Sequence, residues 1–224
     1  MPKTRKNVIV AIDGPAGSGK STVSKILAER LGLLYVDTGA MYRALTLKAM
    51  RRGINLEDET VLTELARETK IDLREEDGRL QVIMDGEDVA SLIRTPELTN
   101  NVKYIARVPA VRKEMVRLQR AAGKANGAVL EGRDIGTVVF PDADYKFYLD
   151  ASEAERVKRR YKELLALGQT VSLDDMQKDV SSRDESDMKR SVGALKKDKD
   201  ALLIDTTKLS IDGVVDKILG LIDR

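Results

Sequence analysis

The sequence predicts a doubly wound α/β fold, with a five-stranded parallel sheet and helices on both faces. Short apolar runs alternate with longer stretches whose apolar residues recur every three or four positions, as in strands and amphipathic helices. Most runs stop at glycine or charged residues, where a parallel strand would pass the chain to a right-handed crossover. The five predicted strands are residues 8–12, 33–36, 128–130, 145–149 and 201–204.

A stretch of period two interrupts this alternation. Ile71-Asp72-Leu73 and Leu80-Gln81-Val82-Ile83 alternate apolar and polar residues, and the segments 76–79 and 85–87, rich in Asp, Glu and Gly, separate these runs from each other and from Val89. Such segments are typical of hairpin turns, so we predict a small antiparallel meander. It is too short to bury its own core, so it must rest on the main body, and we expect it to move as a flap over a cleft.

Composition limits the chemistry that is available. The 224 residues are 42% hydrophobic, which is enough for one buried core. The 39 basic and 37 acidic residues give a net charge of +2, so bulk charge favours neither nucleic acid nor membrane as a partner. Cysteine and histidine are absent, which leaves catalysis to Asp, Glu, Lys and Arg. The start, residues 1–6, is charged and lacks the apolar core of a leader, and no window reaches about 18 apolar residues. We expect a cytoplasmic protein.

The segment 14–21 matches the pattern G-x-x-x-x-G-K-S between the first predicted strand and a helical face. Its main-chain amides can surround phosphate oxygens, and the helix that follows directs a positive N-terminus at them. A glycine-rich turn that fits by chance is the alternative, but the strand-loop-helix context favours nucleotide binding. Lys20 would reach the β- and γ-phosphates and Ser21 the Mg2+ ion. The residues assigned to ATP are Gly14, Pro15, Ala16, Gly17, Ser18, Gly19, Lys20, Ser21 and Thr22.

Two further clusters follow strand ends. Asp37, Thr38, Tyr42 and Arg43 come after the second predicted strand, and residues 131–136 come after the third. Ligands of open α/β sheets lie outside the carboxyl ends of the strands, so we expect both clusters in the crevice that holds the phosphate loop. An ordinary capped turn is the alternative for the first cluster.

Basic residues concentrate on three predicted helices. Those of the helix ending near Gly123 fit a solvated face for the most part. The helix after Ser152 has so many basic residues within two turns that we expect an anion to compensate them. On the helix after Ser172, a single stripe begins apolar and ends charged, which indicates either a face directed into a cavity or a surface salt bridge. The basic residues of the first two helices are Arg112, Lys113, Arg117 and Arg120, and Arg156, Lys158, Arg159, Arg160 and Lys162. The stripe of the third helix consists of Met176, Val180, Arg183, Asp187 and Arg190.

One phosphate loop accounts for one triphosphate, so the remaining arginines indicate a second phosphorylated substrate, held in line with the γ-phosphate. Phosphoryl transfer needs alignment and charge neutralisation more than covalent help, which suits a chain without histidine or cysteine. A kinase for another small acceptor shares these features. A nucleotide switch would not use the second set of arginines, and the sequence has no N-K-x-D motif for reading guanine.

Three segments resemble the bacterial cytidylate kinase family: residues 37–43, 131–142 and 182–187. The resemblance runs along nearly the whole chain. It implies a nucleoside monophosphate kinase core in which 1–224 is one P-loop kinase domain, 60–95 an inserted monophosphate-binding subdomain and 154–170 a short lid. The implied reaction is ATP + (d)CMP to ADP + (d)CDP in pyrimidine nucleotide metabolism, with UMP, AMP or a shikimate-like acceptor as alternatives. We expect a monomer that uses Mg2+ with ATP and binds neither nucleic acid nor membrane.

The resemblance also implies residue roles. Lys103 departs from the serine that some members place at the cytosine edge, and a lysine can donate to the base but cannot accept from its amino group. The sequence leaves open whether Asp37 and Asp134 orient arginines or hold metal-bound waters. The implied CMP-binding residues are Thr38, Tyr42, Lys103 and Asp134, together with Arg43, Arg112 and Arg133 on the phosphate and Arg183 and Asp187 on the ribose. On the donor side, the resemblance implies that Arg156, Arg159 and Arg160 close on the ATP phosphates and that Arg190 reaches the phosphate in transit. The implied catalytic set is Lys20, Arg133, Arg159 and Arg190.

Overall fold

The computed structural model describes residues 7–76, 78–166 and 168–223, so the charged start at 1–6 lies outside the described residues. The strands are β1 (Ile9–Asp13), β2 (Leu34–Asp37), β3 (Ile71–Glu76), β4 (Arg79–Met84), β5 (Glu87–Asp88), β6 (Ala128–Gly132), β7 (Tyr145–Asp150) and β8 (Leu202–Asp205). The helices are α1 (Lys20–Leu31), α2 (Thr38–Arg51), α3 (Glu59–Glu68), α4 (Pro96–Ala106), α5 (Pro109–Lys124), α6 (Glu153–Ala166), α7 (Leu173–Met188) and α8 (Ile211–Ile222).

The predicted fold class is confirmed. Five parallel strands form one sheet in the order β2-β6-β1-β7-β8, and β3, β4 and β5 form a separate antiparallel sheet. Within the described residues, no helix is long and apolar enough to cross a bilayer.

The central strand β1 shows why the sheet is covered on both faces. All five of its residues are buried. Alternate side chains of a strand point to opposite faces. Val10 and Ile12 join an apolar cluster with Ile218 of α8, and Ala11 joins a second cluster with Met41 of α2. A strand that is buried on both faces therefore requires helices on either side of the sheet.

Side-chain caps fix where several helices begin. Thr95, Ser172 and Ser210 each accept a hydrogen bond from the main-chain amide three residues later, at 3.2, 3.0 and 3.1 Å. Serine and threonine are favoured at this position because the side-chain oxygen satisfies an otherwise unpaired amide at the start of the helix. The helix predicted to carry Arg190 ends at Met188 instead, so Arg190 follows α7.

The meander leans on the main body, as predicted, and none of its described residues lines the main cleft of the molecule. Its movement as a flap stays a prediction. Its buried side chains, among them Leu73 and Val82, belong to the same apolar cluster as Leu45 of α2. The third strand is Glu87–Asp88 and not Val89, because the Asp88 carboxylate accepts from the Ala90 amide at 3.0 Å and turns the chain. Residue 77 of the first predicted turn lies outside the described residues.

Candidate active site

A cleft of about 850 Å³ lies at the carboxyl edge of the parallel sheet, where β1, β2 and β6 end. Basic side chains outnumber acidic ones in its lining, so the cleft attracts anions. The acidic side chains are Asp37, Glu131, Asp134, Glu163, Asp179 and Asp187. The basic side chains are Lys20, Arg43, Arg94, Lys103, Arg112, Arg133, Arg160, Lys178, Arg183 and Arg190.

Residues 14–19 form a tight loop between β1 and α1, as the sequence predicts. Gly14 has φ +147°, and a Cβ there would overlap the carbonyl oxygen of Leu149. Gly17 has φ +77°, and its Cβ would lie 2.9 Å from the carbonyl oxygen of Arg156. A side chain at either position would displace the loop from the end of the sheet, so its main-chain path depends on glycine.

The ammonium group of Lys20 is buried within this loop. Its Nζ donates to the Pro15 carbonyl oxygen at 2.6 Å and to the Ser18 hydroxyl at 3.4 Å. Burial, and then the neighbouring Arg133, lower the pKa of Lys20 to about 7, although Glu131 acts in the opposite direction. An anion that enters the cleft beside Lys20 would favour the protonated amine.

Glu131, at the end of β6, is a functional candidate that is missing from the predicted site residues. Its Oε2 accepts from the Ser21 hydroxyl at 2.9 Å, and its Oε1 accepts from the buried hydroxyl of Tyr35. Burial, and then Asp37, raise the pKa of Glu131. β6 lies next to β1, the strand that leads into the phosphate loop. An acidic residue at the carboxyl end of such a strand is a signal in the sequence that could have identified Glu131.

The oxygen atoms of Ser21 and Glu131 suit a hard cation such as Mg2+, which prefers oxygen ligands. In residues 7–76, 78–166 and 168–223, no group of three or more acidic side chains could hold a metal by itself. Mg2+ usually binds one or two carboxylates together with water and substrate phosphates.

Facing the loop, three predicted CMP-phosphate arginines are each paired with an aspartate. Arg43 Nη2 lies 3.0 Å from Asp37 Oδ2, and Arg133 Nε lies 2.6 Å from Asp187 Oδ2. Arg112 pairs with Asp134. The structure thus brings these three arginines, from distant parts of the chain, into the lining of the cleft that also contains Lys20.

The basic residues of α5 lie mostly on a solvated face, as predicted, and Arg112 is the exception. It is only 2% exposed, and its guanidinium carbon lies 5.6 Å from the centroid of the Tyr42 ring. Lys113 and Arg117 are exposed, as predicted. Arg120 donates to the carbonyl oxygens of Val138 and Val139 at 2.9 and 2.7 Å. Arg112 therefore belongs to the cleft lining, whereas Arg120 holds the main chain at residues 138 and 139.

The predicted α7 stripe reaches the cleft, where Arg183 and Asp187 lie in the lining together with Arg190. Burial alone would raise the pKa of Asp187, but Arg133 and Arg190 hold it below its usual value. Asp187 is buried and pairs with both arginines, so these contacts are not the exposed salt bridge that the sequence left as an alternative.

Carboxylates pair with three of the five basic residues of the α6 cluster, and an anion that compensates the cluster stays a prediction. Arg156 Nη1 lies 2.5 Å from Asp184 Oδ2, and Arg159 and Arg160 pair with Glu155 and Glu163 at 3.0 and 2.8 Å. Of the three predicted ATP-phosphate arginines, Arg160 lines the cleft. Arg156 donates to the Ala16 carbonyl oxygen at 3.2 Å, and Arg159 to that of Gly17 at 3.5 Å, so both brace the loop main chain.

In another part of the cleft, the lining comes from α4, and no described residue of the meander belongs to it. Lys103 lines the cleft beside Thr99 and Asn100, and its Nζ lies 5.2 Å from the centroid of the Tyr104 ring. Thr38 and Tyr42 line the cleft from α2, and the Thr38 hydroxyl donates to the Glu131 carbonyl oxygen at 2.6 Å.

A phosphate loop that faces a wall of paired arginines, at the edge of a five-stranded parallel sheet, defines a P-loop kinase. The family model described as cytidylate kinase matches residues 10–224. The chain is 49% identical over 220 residues to a cytidylate kinase of Geobacillus sp. (strain WCH70), covering 98% of each chain. It is 50% identical over 216 residues to one from Desulforamulus reducens (strain ATCC BAA-1160 / DSM 100696 / MI-1), covering 96% of each. The chain belongs to the cytidylate kinase family, which confirms the resemblance in the sequence.

Among solved structures, the fold is similar to a crystal structure of an uncharacterized protein from Eubacterium ventriosum ATCC 27560. The TM-score is 0.55 at 16% identity, with 97% of this chain and 99% of the other covered. At that identity the likeness concerns the fold alone.

Proposed function

We propose that this chain transfers the γ-phosphoryl group of ATP to CMP or dCMP, giving ADP and CDP or dCDP. The observation that carries the proposal is the pair of facing anion sites in one cleft. The first is the loop around Lys20, and the second is the wall formed by Arg43, Arg112 and Arg133. The full-length similarity to cytidylate kinases supports CMP as the acceptor.

In this proposal the three arginines hold the acceptor phosphate. Their partners Asp37, Asp134 and Asp187 are acidic and partly or fully buried, so each guanidinium has a defined orientation before substrate arrives. An oxygen of the CMP phosphate attacks the γ-phosphorus, and the bond to the β–γ bridging oxygen breaks with its electron pair remaining on ADP. The attacking oxygen is already anionic, so no general base is required.

Lys20 and the lid neutralise the donor side. Lys20 would leave the Pro15 carbonyl for the β- and γ-phosphates, and Arg160 would approach them from α6. We propose 154–170 as the lid, with Arg159 and Arg190 completing the catalytic set. Because Arg156 and Arg159 contact the loop main chain, a shift of α6 would also move the loop.

Mg2+ would be held by Ser21 and Glu131, through oxygen atoms that suit it, and would neutralise phosphate charge when bound. Tyr35 and Ser21 orient the Glu131 carboxylate before any ion arrives, since they donate to its two oxygen atoms.

We propose that Lys103 donates to the cytosine carbonyl oxygen, while the acceptor that the amino group needs comes from Thr99, Asn100 or Asp134, all in the cleft lining. The inserted monophosphate-binding subdomain was predicted as 60–95. The cleft residues of this region, Arg94 and those of α4, lie at and beyond its end. The monomeric state and the cytoplasmic location stay predictions.

An assay of acceptor-dependent ADP release tests the proposal. With ATP and Mg2+, turnover should be fastest with CMP and dCMP among CMP, dCMP, UMP, AMP and shikimate. The Lys20→Ala variant serves as the blank for contaminating kinases. Faster turnover with AMP or shikimate would assign another acceptor, and ADP release that ignores all five compounds would favour a nucleotide switch.

A further inference from the structure

The carboxylate of Asp13 joins the phosphate loop to the arginine wall. Its Oδ1 accepts from the Ile135 amide and its Oδ2 from the Gly136 amide, both at 2.8 Å. Asp13 directly precedes Gly14, the first residue of the loop, and Ile135 directly follows Arg133 and Asp134. One side chain thus holds the main chain at the edges of both proposed phosphate sites.

These contacts act as a helix cap supplied from elsewhere in the chain. The π-helical turn Ile135–Val139 begins after Asp134, whose own side chain makes no cap hydrogen bond. A helix start leaves amides that need acceptors. Asp13 satisfies two of them from the central strand, 122 and 123 residues away in sequence. The direction in which the chain leaves Arg133 is therefore tied to the end of β1.

The surroundings of Asp13 argue against a role in proton transfer. Both of its oxygen atoms accept main-chain amides, and the side chain is only 5% exposed. Its charged neighbours are Lys20 and Asp134, and the Lys146 chain packs beside Gly136. Burial raises the pKa of Asp13 to about 6, against the effect of the two amides, so at neutral pH the carboxylate is ionised and accepts both hydrogen bonds.

We propose that Asp13 is a positioning residue that sets the separation between the phosphate loop and the arginine wall. The proposal rests on the proposed kinase function. In-line transfer requires the two phosphates to be held at near-attack distance, and a displacement of about 1 Å can reduce the rate by about 100-fold. A shift of residues 133–136 relative to β1 would leave each site intact but misaligned with the other.

The test compares Asp13→Asn with Asp144→Asn. The side-chain amide that Asp13→Asn introduces would place a donor against one of the two main-chain amides. Asp144 is a matched control, because its Oδ2 accepts from the Ile9 amide at 2.8 Å at the opposite end of the same strand. Calorimetry would measure the dissociation constants of a non-hydrolysable ATP analogue alone, of CMP alone, and of an adenosine–cytidine analogue joined through five phosphates that spans both sites. Steady-state kinetics would give kcat.

For Asp13→Asn, we expect both single nucleotides to bind within about threefold of wild type, while the bisubstrate analogue binds at least about tenfold more weakly and kcat falls at least about tenfold. Asp144→Asn should leave all four quantities within about threefold. A folded Asp13→Asn with unchanged bisubstrate affinity and kcat would overturn the proposal. So would an equal loss for single and bisubstrate ligands.

Asp13→Glu provides a second variant that keeps the charge and moves the carboxylate by one methylene. It should weaken the bisubstrate analogue selectively, as Asp13→Asn does. Failure of both variants to fold, judged by circular dichroism, would make Asp13 a structural residue and overturn the proposal. Wild type that binds no CMP would instead overturn the proposed kinase function, so the two failures are distinguishable.

Discussion

Gly193 lies where a side chain would collide with the Arg112–Asp134 ion pair, so Gly193→Ala is a sharp test of the arginine wall. Gly193 has φ +67°, and a Cβ built there would overlap Arg112 Nη2 and Asp134 Oδ2. The segment that carries it cannot easily move away, because the Leu195 amide donates to the Asp187 carbonyl oxygen at 2.8 Å.

Two contributions set the expected magnitude. Alanine in the left-handed region is destabilised by about 1–2 kcal/mol. The collision adds part of the about 3–5 kcal/mol that separates an intact buried ion pair from a broken one, since Arg112 is only 2% exposed. We expect Gly193→Ala to lower the free energy of unfolding by about 2–4 kcal/mol. The displaced guanidinium should raise KM for CMP by about tenfold, a loss of about 1.4 kcal/mol, with KM for ATP nearly unchanged.

Gly53→Ala is the matched control. Gly53 has φ +60°, and nothing lies within 4 Å of a Cβ built there, so this variant carries the strain without the collision. It should lose about 1–2 kcal/mol in denaturant unfolding and keep its KM for CMP. If Gly193→Ala matched Gly53→Ala in stability and kept KM for CMP within about twofold, the tight contact between Gly193 and the ion pair would be refuted.

Two further predictions concern the groups on either side of the transferred phosphate. Arg133→Ala should lower kcat by about 100- to 1,000-fold, because a guanidinium in the same cleft as Lys20 is lost. It should lower the free energy of unfolding by only about 1 kcal/mol, because Asp187 keeps Arg190 as a partner. Near-normal kcat would remove Arg133 from the site. Burial and Arg133 lower the pKa of Lys20 from 10.5 to about 7. Between pH 7 and 10.5 the unfolded chain therefore binds more protons at Lys20 than the folded chain does. The contribution of Lys20 to the free energy of unfolding consequently rises with pH across that window. Lys20 is mostly neutral at pH 8, and the ATP phosphates favour its protonated form, so ATP binding at this pH should take up a proton. Proton uptake makes the binding heat measured by calorimetry differ between buffers of different ionisation enthalpy. Equal heats in such buffers would contradict the prediction.

The parallel sheet was predictable because its signals are local. Every core strand begins within one residue of its predicted start, since the apolar residues that predict each strand can be read directly from the sequence. Caps such as Thr95 and Ser210 are equally local, because a side-chain oxygen three residues before an unpaired amide identifies the start of a helix.

The environment of the arginines was not predictable from periodicity. Arg112 and Arg117 share one helix, and their charges look alike in the sequence. Arg112 is buried because Asp134 and Tyr42, which belong to other elements, come to it in the folded chain. In the same way Asp184 of α7 compensates Arg156 of α6. A helical pattern identifies which residues share a face, whereas tertiary packing decides what covers that face.

The meander illustrates the same limit. Alternation correctly identified Leu73 and Val82 as one apolar face. It could not specify which part of the main body that face would cover, and the structure places it in one apolar cluster with Leu45 of α2. In this region the cleft lining comes from Arg94 and α4, whose amphipathic pattern is equally compatible with a purely structural helix.

The aspartates of the arginine wall explain how it can be strongly basic and still be ordered. Unpaired guanidinium groups at this density would repel one another, whereas Asp37, Asp134 and Asp187 each fix one arginine without occupying all of its donors. Within the described residues, the Nε atoms of Arg43 and Arg112 are buried and have no hydrogen-bond partner. Because protein atoms cover these two Nε atoms, a phosphate would be bound through the other donors of the two guanidinium groups, by charge-assisted hydrogen bonds. A dianionic acceptor should therefore bind this wall far better than a neutral alcohol would, which favours a monophosphate over a sugar-like acceptor.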